Sequence, residues 1–152
     1  MFFPGLWWFV LNFFNNHFMC SVIGIVYDSQ NRILLLDHKY RPHSPAFPSG
    51  WLRKGENPLD TIVREIKEET NFNVQPKRLL SIGSSKKFLH LEFVVEVLYL
   101  DGEFIPSNEV SNFSWVSPTD VIDTLNVFCC ILNDNGVLNE SNFVSTYTVK
   151  WF

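Results

Sequence analysis

The order of hydrophobic and polar positions predicts that strands and helices alternate along this chain. Two apolar runs flank the turn sequence Asp-Ser-Gln-Asn at residues 28–31, which predicts a buried strand followed by its hairpin partner. A longer apolar run ends at Asp101-Gly102, a strong turn signal. Its alternation places His90 and Glu92 on one face, where we expect His90 to be exposed. The predicted strands are residues 20–27, 32–36, 77–82, 88–100 and 113–116.

Residues 58–70 have a helical rather than a strand pattern. Their apolar side chains recur three and four positions apart, which predicts an amphipathic helix with one face towards the core. Pro58 is compatible with the first turn, and a second helix is expected to begin at Pro118 with Ser117 as its N-cap. The predicted core-facing residues of the first helix are Leu59, Ile62, Val63 and Ile66. Strands and helices in this order predict an α/β fold, an α/β/α sandwich around a mixed β-sheet.

Three carboxylates lie on the polar side of the first helix. Glu65, Glu68 and Glu69 are related as i, i+3 and i+4, so they share one face. Like charges at this spacing repel by about 0.2–0.5 kcal/mol per pair, and we expect no adjacent group to compensate them. Oxygen ligands in this number suit Mg²⁺ or Mn²⁺, so the pattern predicts a cation site. The alternative, from the helix by itself, is an ordinary solvated face.

A longer motif surrounds these carboxylates. Residues 50–72 have the spacing Gly-x5-Glu-x7-Arg-Glu-hydrophobe-x-Glu-Glu-x-Asn-hydrophobe, and the residues at the specified positions are Gly50, Glu56, Arg64, Glu65, Ile66, Glu68, Glu69, Asn71 and Phe72. This segment resembles the Nudix box of the Nudix hydrolase family, which has glycine in place of Asn71. That glycine closes the helix in a left-handed conformation, which asparagine tolerates better than other non-glycine residues. The departure therefore bears on stability more than on chemistry.

The resemblance implies the Nudix fold and a metal-dependent hydrolase with Mg²⁺ or Mn²⁺ as cofactor. Such an enzyme cleaves the pyrophosphate bond of a nucleoside diphosphate linked to another group. The implied small-molecule substrates are a nucleoside triphosphate (normal or oxidised), ADP-ribose, a nucleotide sugar or a dinucleotide polyphosphate. A regulatory Nudix module that binds a nucleotide without cleaving it is the alternative, although binding alone does not require three clustered carboxylates.

The resemblance also implies roles for individual residues. The catalytic set is Glu65, Glu68 and Arg64, and which carboxylate activates the water varies within the family. The implied metal ligands are Glu65, Glu68 and Glu69, together with the backbone carbonyl of Ser49 and the side chain of Glu109. For Glu109, an exposed loop glutamate is the alternative. Gly50 and Glu56 are implied to be structural, with Arg64 pairing with Glu56 or a neighbour to orient the helix.

The segment before the box, residues 37–47, is interrupted by prolines and is predicted to be a loop. It carries candidate substrate-binding residues. Lys39 or Arg41 would contact a phosphate, and Tyr40 would stack on a base. Ordinary surface charge is the alternative for these three residues.

Composition narrows the class of protein. At 152 residues the chain is long enough for one domain with its own core. A net charge of −4 without a basic stripe argues against a stable nucleic-acid partner, and mildly against removal of pyrophosphate from RNA ends. The odd number of cysteines, without metal-ligand spacing, predicts a reducing, cytoplasmic setting. The cysteines are Cys20, Cys129 and Cys130.

The first 14 residues are almost wholly apolar and aromatic and carry no charged side chain. They are too few to span a bilayer and lack the basic region of a secretory signal. We therefore divide the chain into an N-terminal helix or anchor, residues 1–18, and a hydrolase domain, residues 19–152. The helix would dock on the domain or form a homodimer interface. Alternatively, it would lie on a membrane surface, which would suit a membrane-associated hydrolase of a lipid-linked diphosphate.

Overall fold

The computed structural model describes residues 17–40, 45–85 and 89–124, and within these ranges six strands and two helices follow one another. In chain order they are β1 (Met19–Tyr27), β2 (Ile33–His38), β3 (Ser49–Trp51), α1 (Pro58–Thr70), β4 (Asn73–Ser85), β5 (His90–Asp101), β6 (Val110–Val116) and α2 (Pro118–Thr124).

The strands form one mixed sheet in the order β4-β5-β1-β2-β6, with β3 paired to β1 beside β2. The central pair, β1 and β5, is parallel from Met19 opposite His90 to Tyr27 opposite Leu98. The other pairs are antiparallel. The short β3 is antiparallel to the first half of β1, and it carries the start of the glutamate-rich motif into the sheet.

The sheet buries apolar side chains on both faces. Because successive side chains of a strand point to opposite faces, β1 contributes Val22 to one core and Ile23 to the other. Helix α1 completes the first core with Ile62 and Ile66, and α2 completes the second with Val121. One helix on each side of a mixed sheet confirms the predicted α/β/α sandwich.

Helix α1 has the predicted bounds because polar side chains cap both of its ends. The Asn57 side chain accepts hydrogen bonds from the backbone N–H groups of Leu59 and Asp60, and Pro58 occupies the first turn. At the other end Asn71 adopts the left-handed conformation, with φ of 66°, and its N–H donates to the Lys67 carbonyl. Asparagine therefore does occupy the left-handed conformation that was expected at this position.

The predicted apolar stripe of α1 is wrong in its first turn. Ile62 and Ile66 are fully buried, but Leu59 is 40% exposed. The buried residue of the first turn is Thr61, whose hydroxyl donates to Glu56 at 3.1 Å. The start of the helix is thus tied to the preceding loop rather than inserted into the apolar core.

Several strand predictions need correction, among them that of β6, which begins at Val110 rather than at residue 113. Strand β2 continues to His38, through a bulge in its pairing with β6, so His38 is not part of a loop. Strand β4 is longer than the predicted 77–82, because Pro76 is accommodated on an edge strand with several irregularities in register. Strand β3 was not predicted, since three residues are too few to show an alternating pattern.

Several predictions fall outside the described ranges. These are the apolar residues 1–14 with their docked, dimeric or membrane-bound alternatives, Arg41, and the pair Cys129 and Cys130. Among the residues that are described, no helix is both long and apolar enough to cross a bilayer. The domain division at residue 18 and the homodimer stay predictions.

The left-handed cap gives a first testable prediction. Asn71→Ala should lower the free energy of unfolding by about 1–2 kcal/mol, since alanine tolerates this conformation poorly. It also removes the hydrogen bond from Asn71 Nδ2 to the Glu103 carbonyl, 3.2 Å away. Asn71→Gly loses that bond but adopts the left-handed conformation without strain, so its free energy of unfolding should remain within about 1 kcal/mol of the wild-type value. Urea denaturation measures both changes.

Asn108→Ala is the control for this experiment, because Asn108 is exposed and its side chain makes no hydrogen bond to the described part of the chain. Equal stability of Asn71→Ala and Asn108→Ala would contradict the assigned capping role.

Candidate active site

The Arg64 guanidinium lies at the centre of the motif. Its Nε and Nη2 donate to both carboxylate oxygens of Glu56, at 2.7 and 2.9 Å. Its Nη1 donates to Glu65 at 2.7 Å and to Glu68 at 3.3 Å. Nη2 also reaches the Trp51 carbonyl at 3.2 Å. One arginine therefore offsets Glu56, Glu65 and Glu68. The expectation that no adjacent group compensates the carboxylates of α1 is wrong for Glu65 and Glu68.

Glu56 fixes the loop that precedes α1. Besides its two bonds from Arg64, it accepts hydrogen bonds from the Arg53 backbone N–H and the Thr61 hydroxyl. Hydrogen bonding from Arg64, and then from the Arg53 N–H, lowers the pKa of Glu56 to about 2. An ionised Glu56 thus joins the loop to helix α1 through one side chain.

Gly50 leaves the space that Glu65 occupies. Gly50 pairs with Val22 in the sheet, and a Cβ added to it would overlap the Glu65 carboxyl group. A glycine is therefore needed because the strand and helix α1 approach closely. This contact positions Glu65 next to the backbone of β3, where Ser49 is the preceding residue.

Glu68 lies on the surface of α1. It is about half exposed and accepts hydrogen bonds from both Nη atoms of Arg53, at 3.3 and 3.1 Å. Arg53 is itself 60% exposed, and such surface pairs contribute about 0–1 kcal/mol. Solvent or a cation can therefore replace Arg53 at Glu68 at little cost.

Glu69 is buried, so the three carboxylates do not form an ordinary solvated face. Its Oε1 lies 3.6 Å from His38 Nε2, at the end of β2. Its Oε2 and His38 Nδ1 are both buried without a hydrogen-bond partner in the described part of the chain. Burial raises the pKa of Glu69, the charges of Glu65 and Glu109 raise it further, and His38 opposes them.

The sequence pattern predicted only that His38 lies within the loop at residues 37–47. The alternation of β2 contains the missing signal, since Leu34, Leu36 and His38 lie on the same face. Leu34 and Leu36 pack in the core under α1, so His38 is placed under the same helix. The role of Arg53 at Glu68 was also missed, and no periodicity indicates it.

The remaining predicted residues surround the β2–β6 end of the site. Glu109 is exposed, and its carbonyl accepts a hydrogen bond from the Lys39 N–H at 2.8 Å. Because Lys39 follows His38, this bond places Glu109 at the end of β2 where His38 meets Glu69. Lys39 Nζ donates to the Ser107 carbonyl at 2.7 Å, and Tyr40 is exposed with its ring 5.1 Å from the His38 ring. The geometry thus brings Glu109, Lys39 and Tyr40 to the site.

The carboxylate oxygens of the motif are suitable ligands for a hard divalent cation, although the described side chains do not form a ready-made coordination shell. Nowhere in residues 17–40, 45–85 and 89–124 do three or more His, Cys, Asp or Glu side chains already converge as a metal cage. However, Glu69 Oε2 is a buried oxygen that lacks a donor, and Glu65 uses only Oε1 for Arg64. A buried carboxylate oxygen in a concentration of negative charge is the kind of ligand that Mg²⁺ and Mn²⁺ take.

A mixed sheet between two helices, with an arginine-centred glutamate motif on one of them, defines the class of this domain. A family model described as the NUDIX domain matches residues 17–138. The chain belongs to the Nudix family, which confirms the predicted family and fold. Nudix hydrolases generally use a divalent metal.

Known proteins are similar over part of the chain. An ADP-ribose pyrophosphatase from Methanocaldococcus jannaschii is 39% identical over 71 residues, which is 45% of this chain and 41% of that protein. An RNA pyrophosphohydrolase from Thioalkalivibrio sulfidiphilus is 33% identical over 67 residues, which is 44% of this chain and 38% of that protein. The matches therefore span less than half the length of these curated relatives.

Solved structures agree on the fold. The crystal structure of an ADP-ribose pyrophosphatase from Streptococcus suis superposes with a TM-score of 0.58 at 22% identity. The superposition covers 66% of this chain and 74% of that protein. At this identity the similarity shows a shared fold and leaves the substrate open.

The contact between Gly50 and Glu65 gives a second prediction. Gly50→Ala should displace the Glu65 carboxylate and lower any metal-dependent turnover by about 100-fold, since small misplacements at a reaction centre have effects of this size. The chain should stay folded, because a carboxylate can rotate away from the new methyl group. Steady-state kinetics and circular dichroism measure the two effects.

Gly83→Ala is the matched control, because a Cβ at Gly83 would meet nothing within 4 Å. Unchanged turnover in Gly50→Ala would show that the position of Glu65 does not matter.

The bonds to Glu56 give a pH-dependent prediction. Because the pKa of Glu56 falls from its ordinary value of 4.5 to about 2 on folding, its stabilisation is complete above pH 4.5. It is lost as the pH falls from 4.5 towards 2. Glu56→Gln should therefore be less stable than the wild type at pH 7, and the difference should shrink between pH 4.5 and pH 3. Urea midpoints of both proteins across this range test it, and a difference that is constant with pH would contradict it.

Proposed function

We propose that this chain is a metal-dependent pyrophosphohydrolase that cleaves a nucleoside diphosphate linked to another group. The observation that carries the proposal is the buried Glu69 oxygen without a donor, next to Glu65 in a complete glutamate motif. Binding a nucleotide in a regulatory module would not require an unpaired carboxylate oxygen at this point. Burial of such a group without a partner is unfavourable, and a cation would offset it.

Hydrolysis of a phosphoanhydride needs two things from the protein: compensation of phosphate charge and a base for the attacking water. When bound, a divalent cation polarises the phosphoryl oxygens and offsets their charge. Glu68 and Glu69 would hold it, with Glu109 and the Ser49 carbonyl as further ligands and Glu65 as either a further ligand or the base. These are the residues that the Nudix resemblance implied.

The proton acceptor proposed for the water is Glu65. Arg64 occupies its Oε1, which orients the carboxylate and leaves Oε2 to accept a proton. Glu68 is a poorer base, since both of its oxygens accept hydrogen bonds from arginines. Arg64 acts as a positioning residue, because its hydrogen bonds to Glu56 fix where it holds Glu65. Lys39, which lies beside Glu109, supplies a positive charge for a phosphate at the rim.

The substrate is proposed only as a class. The relatives named for ADP-ribose and for RNA share the cleavage of a pyrophosphate bond, and this shared chemistry is what we carry over. A small nucleotide fits the net charge of −4 better than a long phosphate backbone does. The proposed setting is cytoplasmic, as the cysteine usage predicted.

A substrate panel tests this proposal. The panel contains nucleoside triphosphates, oxidised dGTP, ADP-ribose, nucleotide sugars, diadenosine polyphosphates and RNA with a 5′-triphosphate. Each is incubated with Mg²⁺, with Mn²⁺ and with chelator, and the released phosphate and nucleotide are measured. Turnover that needs the metal supports the proposal. Binding of a nucleotide without turnover of any member would replace it with the regulatory module.

A carboxylate variant tests the ligand assignment. Glu68→Gln should lower turnover by about 100-fold or more, since removal of a ligand weakens the metal and its alignment. The half-exposed position should keep the fold intact. Titration with Mn²⁺ by electron paramagnetic resonance measures the loss of metal affinity directly.

Glu103→Gln is the matched control, because Glu103 is an exposed glutamate outside the motif. Full activity and unchanged Mn²⁺ affinity in Glu68→Gln would show that Glu68 does not hold the metal.

A further inference from the structure

A second polar cluster lies on the opposite face of the sheet from α1. It consists of Ser21, Trp51, His90 and Glu92, which three neighbouring strands bring together. Ser21 of β1 is opposite Trp51 of β3 and opposite Glu92 of β5. Ser21 Oγ donates to Glu92 Oε1 at 3.3 Å and lies 2.8 Å from His90 Nε2. His90 is buried, so the expectation that it is exposed is wrong. The Trp51 ring, 5.1 Å away, packs against it.

Glu92 differs from the next glutamate on the same face of β5. Glu96 forms an ion pair with Arg78 at 2.8 Å. Glu92 is partly buried, and in the described part of the chain it has no cationic partner and only Ser21 as a hydrogen-bond donor. Burial raises its pKa. Since a carboxylate has about four acceptor positions, most of them remain available to a ligand with N–H groups.

Trp51 supplies a flat apolar surface next to this carboxylate. Its side chain is 54% exposed, while one side of its ring rests on His90. Large aromatic side chains exposed beside a polar group are typical of sites that stack a base. The backbone of Trp51 is also fixed, because its carbonyl accepts a hydrogen bond from Arg64.

The cluster is close to the proposed reaction centre. Gly50 contacts Glu65 on one face of β3, and the next residue, Trp51, points to the other face. In the described part of the chain no strand other than β1 pairs with β3, and at its second edge the Arg64 guanidinium bonds the Trp51 carbonyl. A nucleotide that crosses this edge would place its phosphates at the glutamates and its base at Trp51.

We propose that Trp51 and Glu92 form the base subsite of the proposed hydrolase and that this subsite favours guanine. The inference rests on the proposed function. The base stacks on the indole, and Glu92 accepts two hydrogen bonds from the adjacent N1–H and N2–H groups of guanine. Adenine offers a donor beside an acceptor, and uracil offers one donor between two acceptors. Neither matches a carboxylate with two accepting oxygens. Ser21 and His90 are positioning residues that orient Glu92 and Trp51.

Equilibrium binding tests the inference without using catalysis. The full chain in chelator is titrated with GMP, AMP, UMP and CMP by isothermal titration calorimetry. The wild type should bind GMP about tenfold or more tightly than AMP, as expected for one matched pair of hydrogen bonds. Glu92→Gln presents one donor and one acceptor, so its preference should move from GMP towards AMP. Trp51→Ala should weaken all four nucleotides, and Trp51→Phe should restore most of the binding.

Glu96→Gln is the matched control, because Glu96 lies on the same strand face but is already paired with Arg78. It should bind like the wild type, and circular dichroism confirms the fold of each variant. Equal affinity of the wild type for all four nucleotides would overturn the inference, whether or not the variants fold. A uniform loss for every base in Glu92→Gln would also overturn it, since that result indicates a structural cluster.

The outcomes separate this inference from the proposed function. Metal-dependent turnover of the panel without any base preference would leave the hydrolase in place and remove the guanine subsite. Conversely, GMP binding that depends on Trp51 and Glu92, with no turnover of any substrate, would keep the subsite and remove the hydrolase.

Discussion

The guanidinium of Arg64 is the group on which the candidate site depends. It donates bidentate hydrogen bonds to Glu56 and further hydrogen bonds to Glu65, Glu68 and the Trp51 carbonyl. These partners come from the loop, from helix α1 and from strand β3. Without this cation Glu56, Glu65 and Glu68 would repel one another, and Glu56 would keep only the neutral hydrogen bond from Thr61 as a side-chain link to the described part of helix α1. The same contacts that stabilise the motif therefore set the position of the proposed base, Glu65.

The last turns of α1 carry two carboxylates in different surroundings. Glu69 is removed from water, and in the described part of the chain His38 is the one group of opposite potential charge beside it, so its ionised form is poorly compensated. Its neighbour Glu68 is half exposed and paired with Arg53, an exposed arginine. The helix thus presents one carboxylate that lacks a donor and one that exchanges its partner easily. A divalent cation would satisfy the first and compete for the second, which is the physical basis of the proposed metal site.

Strand β3 has three residues, and two of them contact different polar clusters on opposite faces of the sheet. Gly50 allows Glu65 to approach on the α1 face, and Trp51 extends to the opposite face beside Ser21, His90 and Glu92. The alternation of a strand requires this division. The proposed reaction centre on one face and the proposed base subsite on the other are consequently held close together, because Gly50 and Trp51 are consecutive residues of one strand.

Much of the fold and part of the site follow from local features of the sequence. Capping residues, helical spacing and the motif Gly50–Phe72 determined helix α1, the family, and the identity of the carboxylates, since each depends on residues close together in the chain. The burial of Glu69 and its contact with His38, the pairing of Glu68 with Arg53, and the assembly of Ser21, Trp51, His90 and Glu92 were not predictable in this way. Those contacts join residues 15 to 71 positions apart, so only the pairing of strands and the packing of α1 on the sheet decided them.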